Sequence, residues 1–352
     1  MKNSSFIKAC FKSWFASLVT TVCLVVFAIL IFRLMNWMFF QATFIGSDSS
    51  SCIDRSGACW VFVTENFSFF IYGMLDLEQR WRANLFMGAM VFSLALLFWP
   101  GTRKIGICFN MLGMPIFALF LAYFSLDPTV KLDTDAYGGF FLTLFIAYFG
   151  IFWALPVGIL LALGRRSKLY VIRLFSILWI EIWRGVPLIT VLFMSSVMVP
   201  YFLPPEVELS KLSRAMIGVI AFSGSYMAEV IRGGLQGVGF GQQEASRALG
   251  LSWRQSMQYV ILPQALRIVS PAILNNFVSL FKDTTLVSII GMFDFLGAVQ
   301  AATKNSAWIG YSTEGYVFSA IVFWIFCFGI SKFASGLDSV RRPRYERISF
   351  GN

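Results

Sequence analysis

The 352-residue chain contains no histidine, and only 13% of its residues are charged. Without histidine there is no Ser-His-Asp nucleophile relay, no His-ligated zinc and no haem held by an imidazole. No Gly-Lys pair occurs either, so the phosphate-cradling loop that needs Gly-Lys-Ser/Thr is missing. The composition thus argues against a membrane enzyme and against an ATPase, and no cofactor or metal motif is present. Any energy for work must come from a partner chain or an ion gradient.

What the chain has in abundance is apolar surface. Hydrophobic residues make up 58% of it, against roughly 45–50% in soluble domains. Apolar runs recur over Phe15–Phe32, Asn84–Trp99, Ile105–Leu126, Gly138–Gly164, Leu174–Val199, Ala215–Leu235, Pro271–Met292 and Gly315–Phe333. Each approaches the roughly 20 residues a helix needs to cross a hydrocarbon core. The pattern predicts an all-α polytopic membrane protein with about eight transmembrane helices. Asn84–Trp99 is short, and Ile105–Leu126 carries Pro115. The first run is preceded by Lys2, Lys8 and Lys12, but its apolar stretch is too long for a cleaved signal and no small-x-small cleavage site follows, so we read it as an uncleaved anchor.

The net charge of +10 is distributed by side. With an even number of spans and the N-terminus inside, Arg165, Arg166, Lys168, Arg341, Arg342 and Arg344 all fall on the cytoplasmic side. Asp48, Asp127, Asp133, Asp135, Glu206 and Glu208 fall outside. Basic residues in short loops beside apolar spans indicate membrane lipid as their neighbour and exclude nucleic acid. Both termini are expected in the cytoplasm of an inner-membrane protein.

Three parts are expected: residues 1–137, with three spans around a periplasmic loop at about 41–83; residues 138–336, with five spans; and a basic tail, 337–352. Cys52 and Cys59 share the outer loop, the only place where cysteines would meet an oxidising compartment, and a disulfide between them is one of two open outcomes.

The cytoplasmic segment at about 236–270 is the most informative. Gln242–Leu249 reads as a short helix with Ala245, Ala248 and Leu249 on one face. Gly250 suits the left-handed turn that ends it. Ser252 and Gln255 form a capping box for a second helix, with Trp253, Met257, Val260 and Ile261 on one face and Pro263 expected to stop it. On spacing alone this is either a connecting hairpin or a docking element.

Glu244-Ala245-Ser246, Gly250 and Val260-Ile261-Leu262-Pro263 resemble the EAA loop of permease subunits in ATP-binding-cassette importers, with Ser246 for the second alanine and Val260 for an isoleucine. Arg184-Gly185-Val186-Pro187-Leu188, Tyr226-Met227-Ala228-Glu229 with Arg232-Gly233-Gly234-Leu235, and Lys282-Asp283-Thr284-Thr285-Leu286 are similar to permease subunits for polar amino acids. The extra N-terminal spans and Gly57-Ala58-Cys59-Trp60 resemble the larger permease subunit of general L-amino-acid importers. The resemblance implies a type I importer fold in the last five spans. It also implies separate cytoplasmic ATP-binding subunits docked on the EAA loop, a second permease subunit and a periplasmic amino-acid-binding protein.

Arg33, Glu181, Arg184, Glu229, Arg232, Lys282 and Asp283 fall within predicted spans. A charge near the bilayer centre costs roughly 2.5–3.5 kcal/mol on insertion scales, so each needs a partner or water. Arg33 is expected to snorkel from the outer end of its span. Glu181 with Arg184 and Glu229 with Arg232 have the i,i+3 spacing for self-pairing. Asp283 lies about 12 residues into its run, roughly 18 Å along a helix, and is expected near mid-membrane. A carboxylate there suits a substrate ammonium, with Thr284, Thr285 or Arg232 as hydrogen-bond donors. A structural pairing at a helix interface suits it equally. A carrier driven by an ion gradient would use such carboxylates too, but the chain shows no inverted repeat.

Overall fold

The computed structural model describes residues 11–53, 56–99, 101–123, 136–204 and 206–341; most of the basic tail lies outside them. Among the described residues there is no strand, only isolated bridges. Two compact units emerge, Met1–Phe67 with Ala302–Phe318, and Ser68–Ala301 with Ser319–Asn352.

In the first unit, α1 (Trp14–Met35) is capped by Ser13, whose hydroxyl accepts from the Ala16 amide, and buries none of its residues. A helix apolar on every side and covered by nothing is suited to lipid. Beyond it, Thr43 and Cys59 form a short bridge, and Cys52 and Cys59 are joined by a disulfide. The Cys59 amide donates to Glu314 at 3.2 Å, and Phe62 meets Trp308 edge-on at 5.5 Å. The loop that carries the disulfide therefore closes on the segment that leads into the last span.

The second unit is built around α6 (Gly139–Arg165) and α9 (Lys211–Gly237), named after α2 (Val61–Tyr72), α3 (Arg80–Phe98), α4 (Arg103–Cys108), α5 (Met114–Tyr123), α7 (Tyr170–Gly185) and α8 (Leu188–Met198). A side chain at Gly158 would lie 2.7 Å from Met227 Cβ, so glycine permits the two backbones to close on each other. Small residues at such crossings are what association in lipid requires, because lipid tails offer no hydrophobic driving force between helices. Leu142, Ile146, Leu192, Val219 and Leu280 fill the core around this pair. The helices before the core attach to α6 through buried polar groups as well. Tyr148 donates to Asn110 Oδ1, Ser93 lies 2.8 Å from the Tyr148 hydroxyl, and Asn110 donates to the Gly106 carbonyl at 2.7 Å.

Among the described residues, five helices are long and apolar enough to cross a membrane: Trp14–Phe40, Lys104–Leu121, Gly139–Arg165, Lys211–Gly237 and Ser312–Lys332. Two bent pairs, each taken as one span, raise the number to seven. The expected count of eight is not reproduced. The run at 84–99 falls in α3, which is not among these helices and whose first five residues include Arg80, Arg82 and Asn84. The run at 174–199 is not one helix either. It turns by 110° between α7 and α8, where Pro187 lacks an amide and holds Val186 extended. Pro115 is accommodated by a π-turn, Phe109–Gly113, immediately before α5.

After α9 come α10 (Phe240–Ala248), α11 (Trp253–Gln255), α12 (Leu262–Ile268), α13 (Ser270–Asp283), α14 (Phe295–Thr303) and α15 (Ser312–Arg341). The run at 271–292 is helical only as far as Asp283 and continues as a 3-10 helix, Thr284–Ile290. Thr284, Thr285 and Ser288 each donate a hydroxyl to the carbonyl three residues back, which favours the tighter winding. Asp283 thus stands at a change of helix type, not inside a uniform α-helix.

Candidate functional site

Three features of the second unit combine polarity with position: a hairpin, a charge cluster and a cavity.

The hairpin is locally determined. The amide of Gly250 bonds the Arg247 carbonyl at 2.9 Å, and that of Leu251 bonds Ser246 at 3.1 Å, the pattern of a glycine-closed helix end. Gly250 adopts φ +74°, a region that costs other residues roughly 1–2 kcal/mol. Ser252 and Gln255 form the capping box of the second helix. Pro263 does not end that helix, contrary to expectation. A π-turn over Ser256–Ile261 precedes it and widens the winding, and the helix runs on to Ile268.

The two arms are tied by Ser246 and Ser256, whose hydroxyls lie 2.6 Å apart, and by Gln264 donating to Gln242 at 3.2 Å. Ser246, at the altered alanine position, is therefore a buried cross-link. Met257, Ile261 and Ala265 seat the second arm on Ile231 and Leu235 of α9. Val260 and Leu262 pack partly against this cluster. The outer surface carries Glu244, Ala245, Ala248, Pro263 and Trp253, with Phe240 84% and Leu249 80% exposed. The Ala245/Ala248/Leu249 face is thus turned outward, leaving an apolar surface with a carboxylate beside it.

The charge cluster joins three helices. Arg232 forks onto Glu229, its Nε lying 3.0 Å from both carboxylate oxygens, as the spacing predicts. Glu181 and Arg184 do not pair with each other. Arg165, at the end of α6, reaches Glu181 at 3.1 Å and Glu229 at 3.6 Å, while Arg184 reaches Glu229 at 3.6 Å and lies over the Tyr226 ring. Because guanidiniums from neighbouring helices converge on Glu229, tertiary packing overrides the i,i+3 choice.

The cavity, about 280 Å³, lies between α6, α9 and α13. Asp283 lines it together with Asn276, Ser223, Ser279 and Tyr226. Asn276 Nδ2 is buried without a hydrogen-bond partner. Thr284 and Thr285 donate to backbone carbonyls, and Arg232 is held by Glu229, so these three do not line the cavity. Asn276 and Ser223 were missed because nothing in their spacing marks them, and Tyr226 was marked only as part of a motif; the cavity exists only where three helices meet.

Residues 154–339 match the family described as binding-protein-dependent transport system inner membrane component. Relatives include the inner membrane amino-acid ABC transporter permease protein YhdY of Escherichia coli (strain K12), 47% identical, covering 94% of this chain and 90% of the relative. The glutamate/glutamine/aspartate/asparagine transport system permease protein BztC of Rhodobacter capsulatus is 35% identical over 81% of this chain and 79% of its own. A crystal structure of an amino acid ABC transporter with histidines superposes with a TM-score of 0.50 at 27% identity, covering 56% of this chain and 90% of that one. The chain belongs to the family of binding-protein-dependent transport system inner membrane components, and is a multi-pass ABC transporter permease with a type I core.

Proposed function

We propose that this chain forms the translocation pathway of an ATP-driven amino-acid importer, with separate ATP-binding subunits docked on the hairpin around Gly250. The carrying observation is that hairpin: rigidly turned, anchored on α9 by one arm and apolar on its outer face. A second permease subunit, identical or related, completes the pathway, and a periplasmic binding protein delivers the substrate. Both termini and the hairpin face the cytoplasm in this reading. Amino acids are the substrate class because the relatives are named for them and because the Asp283 cavity offers a carboxylate beside neutral donors.

Proteoliposomes holding the assembled complex should take up labelled amino acid only when ATP and binding protein are supplied on opposite sides. Single cysteines introduced at positions 166 and 133 should be labelled from opposite faces. Uptake driven by an ion gradient without ATP, or labelling of both positions from one face, would reject the proposal.

A further inference from the structure

A second cavity, about 790 Å³, opens between the α6–α7 connection and the hairpin. Arg166, Lys168 and Arg247 line it, and no aspartate or glutamate does. Among the described residues none of the three is in an ion pair. Three cations facing one cleft repel each other unless an anion sits among them. In the rest of its wall the apolar Leu169, Leu251 and Met257 alternate with Ser167, Gln243 and Ser256. Such a lining fits an amphiphile better than a simple salt.

The cleft also lies at the end of a span, since α6 terminates at Arg165. An apolar track leaves it along α7. Val171, Phe175, Leu178 and Ile182, spaced by four, three and four residues, are all exposed on one face of that helix, while Ser176 and Ile180 are buried on the other. The track begins two residues after Leu169, in the cleft wall.

From the cationic cleft, its place at the end of a span and the adjoining apolar track, we infer that this chain holds one anionic phospholipid, its phosphate between Arg166, Lys168 and Arg247 and its acyl chains along α7. The site is separate from the Asp283 cavity and does not depend on what that cavity binds. The cleft does not depend on a single arginine. Arg166 is held by donating to the Leu235 carbonyl at 3.5 Å, and Lys168 and Arg247 are exposed.

The test is native mass spectrometry of the delipidated, assembled transporter titrated with phosphatidylglycerol, phosphatidylethanolamine or inorganic phosphate. Wild type should retain phosphatidylglycerol in preference to phosphatidylethanolamine, and inorganic phosphate should not displace it. Each basic residue near an anionic lipid contributes about fivefold, so Lys168→Gln with Arg247→Gln should weaken retention about 25-fold. Lys168→Arg with Arg247→Lys should stay within about twofold of wild type, on the same charge-based reasoning. Equal retention by the neutralised variant, equal binding of phosphatidylethanolamine, or displacement by inorganic phosphate overturns the inference. Should the neutralised variant fail to assemble, a photoactivatable phosphatidylglycerol applied to wild type decides, by labelling the segment at 166–182 or only other segments; the latter rejects the site.

Discussion

A permease carrying Gly250→Val should insert at normal abundance yet lose substrate-stimulated ATP hydrolysis and uptake by more than tenfold. Nothing lies within 4 Å of where a Gly250 side chain would begin, so the substitution meets no clash within this chain. The penalty is conformational. A β-branched residue at φ +74° is disfavoured by at least the roughly 1–2 kcal/mol that any side chain meets there, and the turn opens to relieve it. Reorienting the first arm also disturbs the Ser246–Ser256 contact and swings Leu249 and Phe240 off the surface they present. The second arm remains seated on α9, so the membrane core is spared.

Gly250→Asn provides the contrast. Asparagine tolerates the left-handed region far better, and this variant should keep most of the coupling if backbone conformation is what matters. Glu244→Lys addresses the chemistry of the same surface. Glu244 is exposed and makes no ion pair among the described residues, so its reversal should leave the permease intact and impair only the docked state. ATPase rates and uptake measured on the purified complex check all three. Wild-type coupling in both Gly250→Val and Glu244→Lys would reduce the hairpin to a connecting loop.

What could be read in the sequence was what depends on neighbouring residues. Gly250 at a helix end, Ser252 and Gln255 as a capping box, and Arg232 one turn from Glu229 are local arrangements, each found in the structure. Local reasoning failed where a distant group competed. Glu181 is taken by Arg165 from another helix, and Arg184 turns to Glu229 and Tyr226. Prolines misled in both directions, because their effect depends on the winding before them. Pro263 follows a π-turn and is absorbed, whereas Pro187 follows Gly185-Val186 and breaks a span by 110°. Hydropathy found the apolar runs but could not reveal that the one at 174–199 is bent, since periodicity carries no information on the angle between segments. The cavity was legible through Asp283 alone. Its neutral lining comes from Ser223, Tyr226 and Asn276, ordinary polar residues brought together by the approach of α9 and α13.

That arrangement sets the expected behaviour of Asp283→Asn, which should lower uptake about tenfold or more while the complex assembles with its partners. The substitution preserves shape and removes charge, so packing around Phe277 and Leu280 is undisturbed. A hydrogen bond to a charged group contributes roughly 1.5–3 kcal/mol, which corresponds to about 10-fold to 150-fold in transport efficiency if an ammonium is held there. A structural role predicts something else. Asp283 makes no ion pair among the described residues, so a purely structural carboxylate would be relieved by neutralisation, and the variant would be as stable as wild type or more so, with uptake unchanged. Asn276 separates the readings further. Its unpartnered Nδ2 faces the same cavity and is a donor available to a substrate carboxylate. Asn276→Leu should therefore impair uptake together with Asp283→Asn, and the double variant should lose less than the product of the two single losses if both groups hold one molecule. Uptake of cationic, neutral and acidic amino acids, measured beside thermal stability of the complex, resolves the matter. Unchanged uptake of all three classes in Asp283→Asn would assign the residue a structural role only.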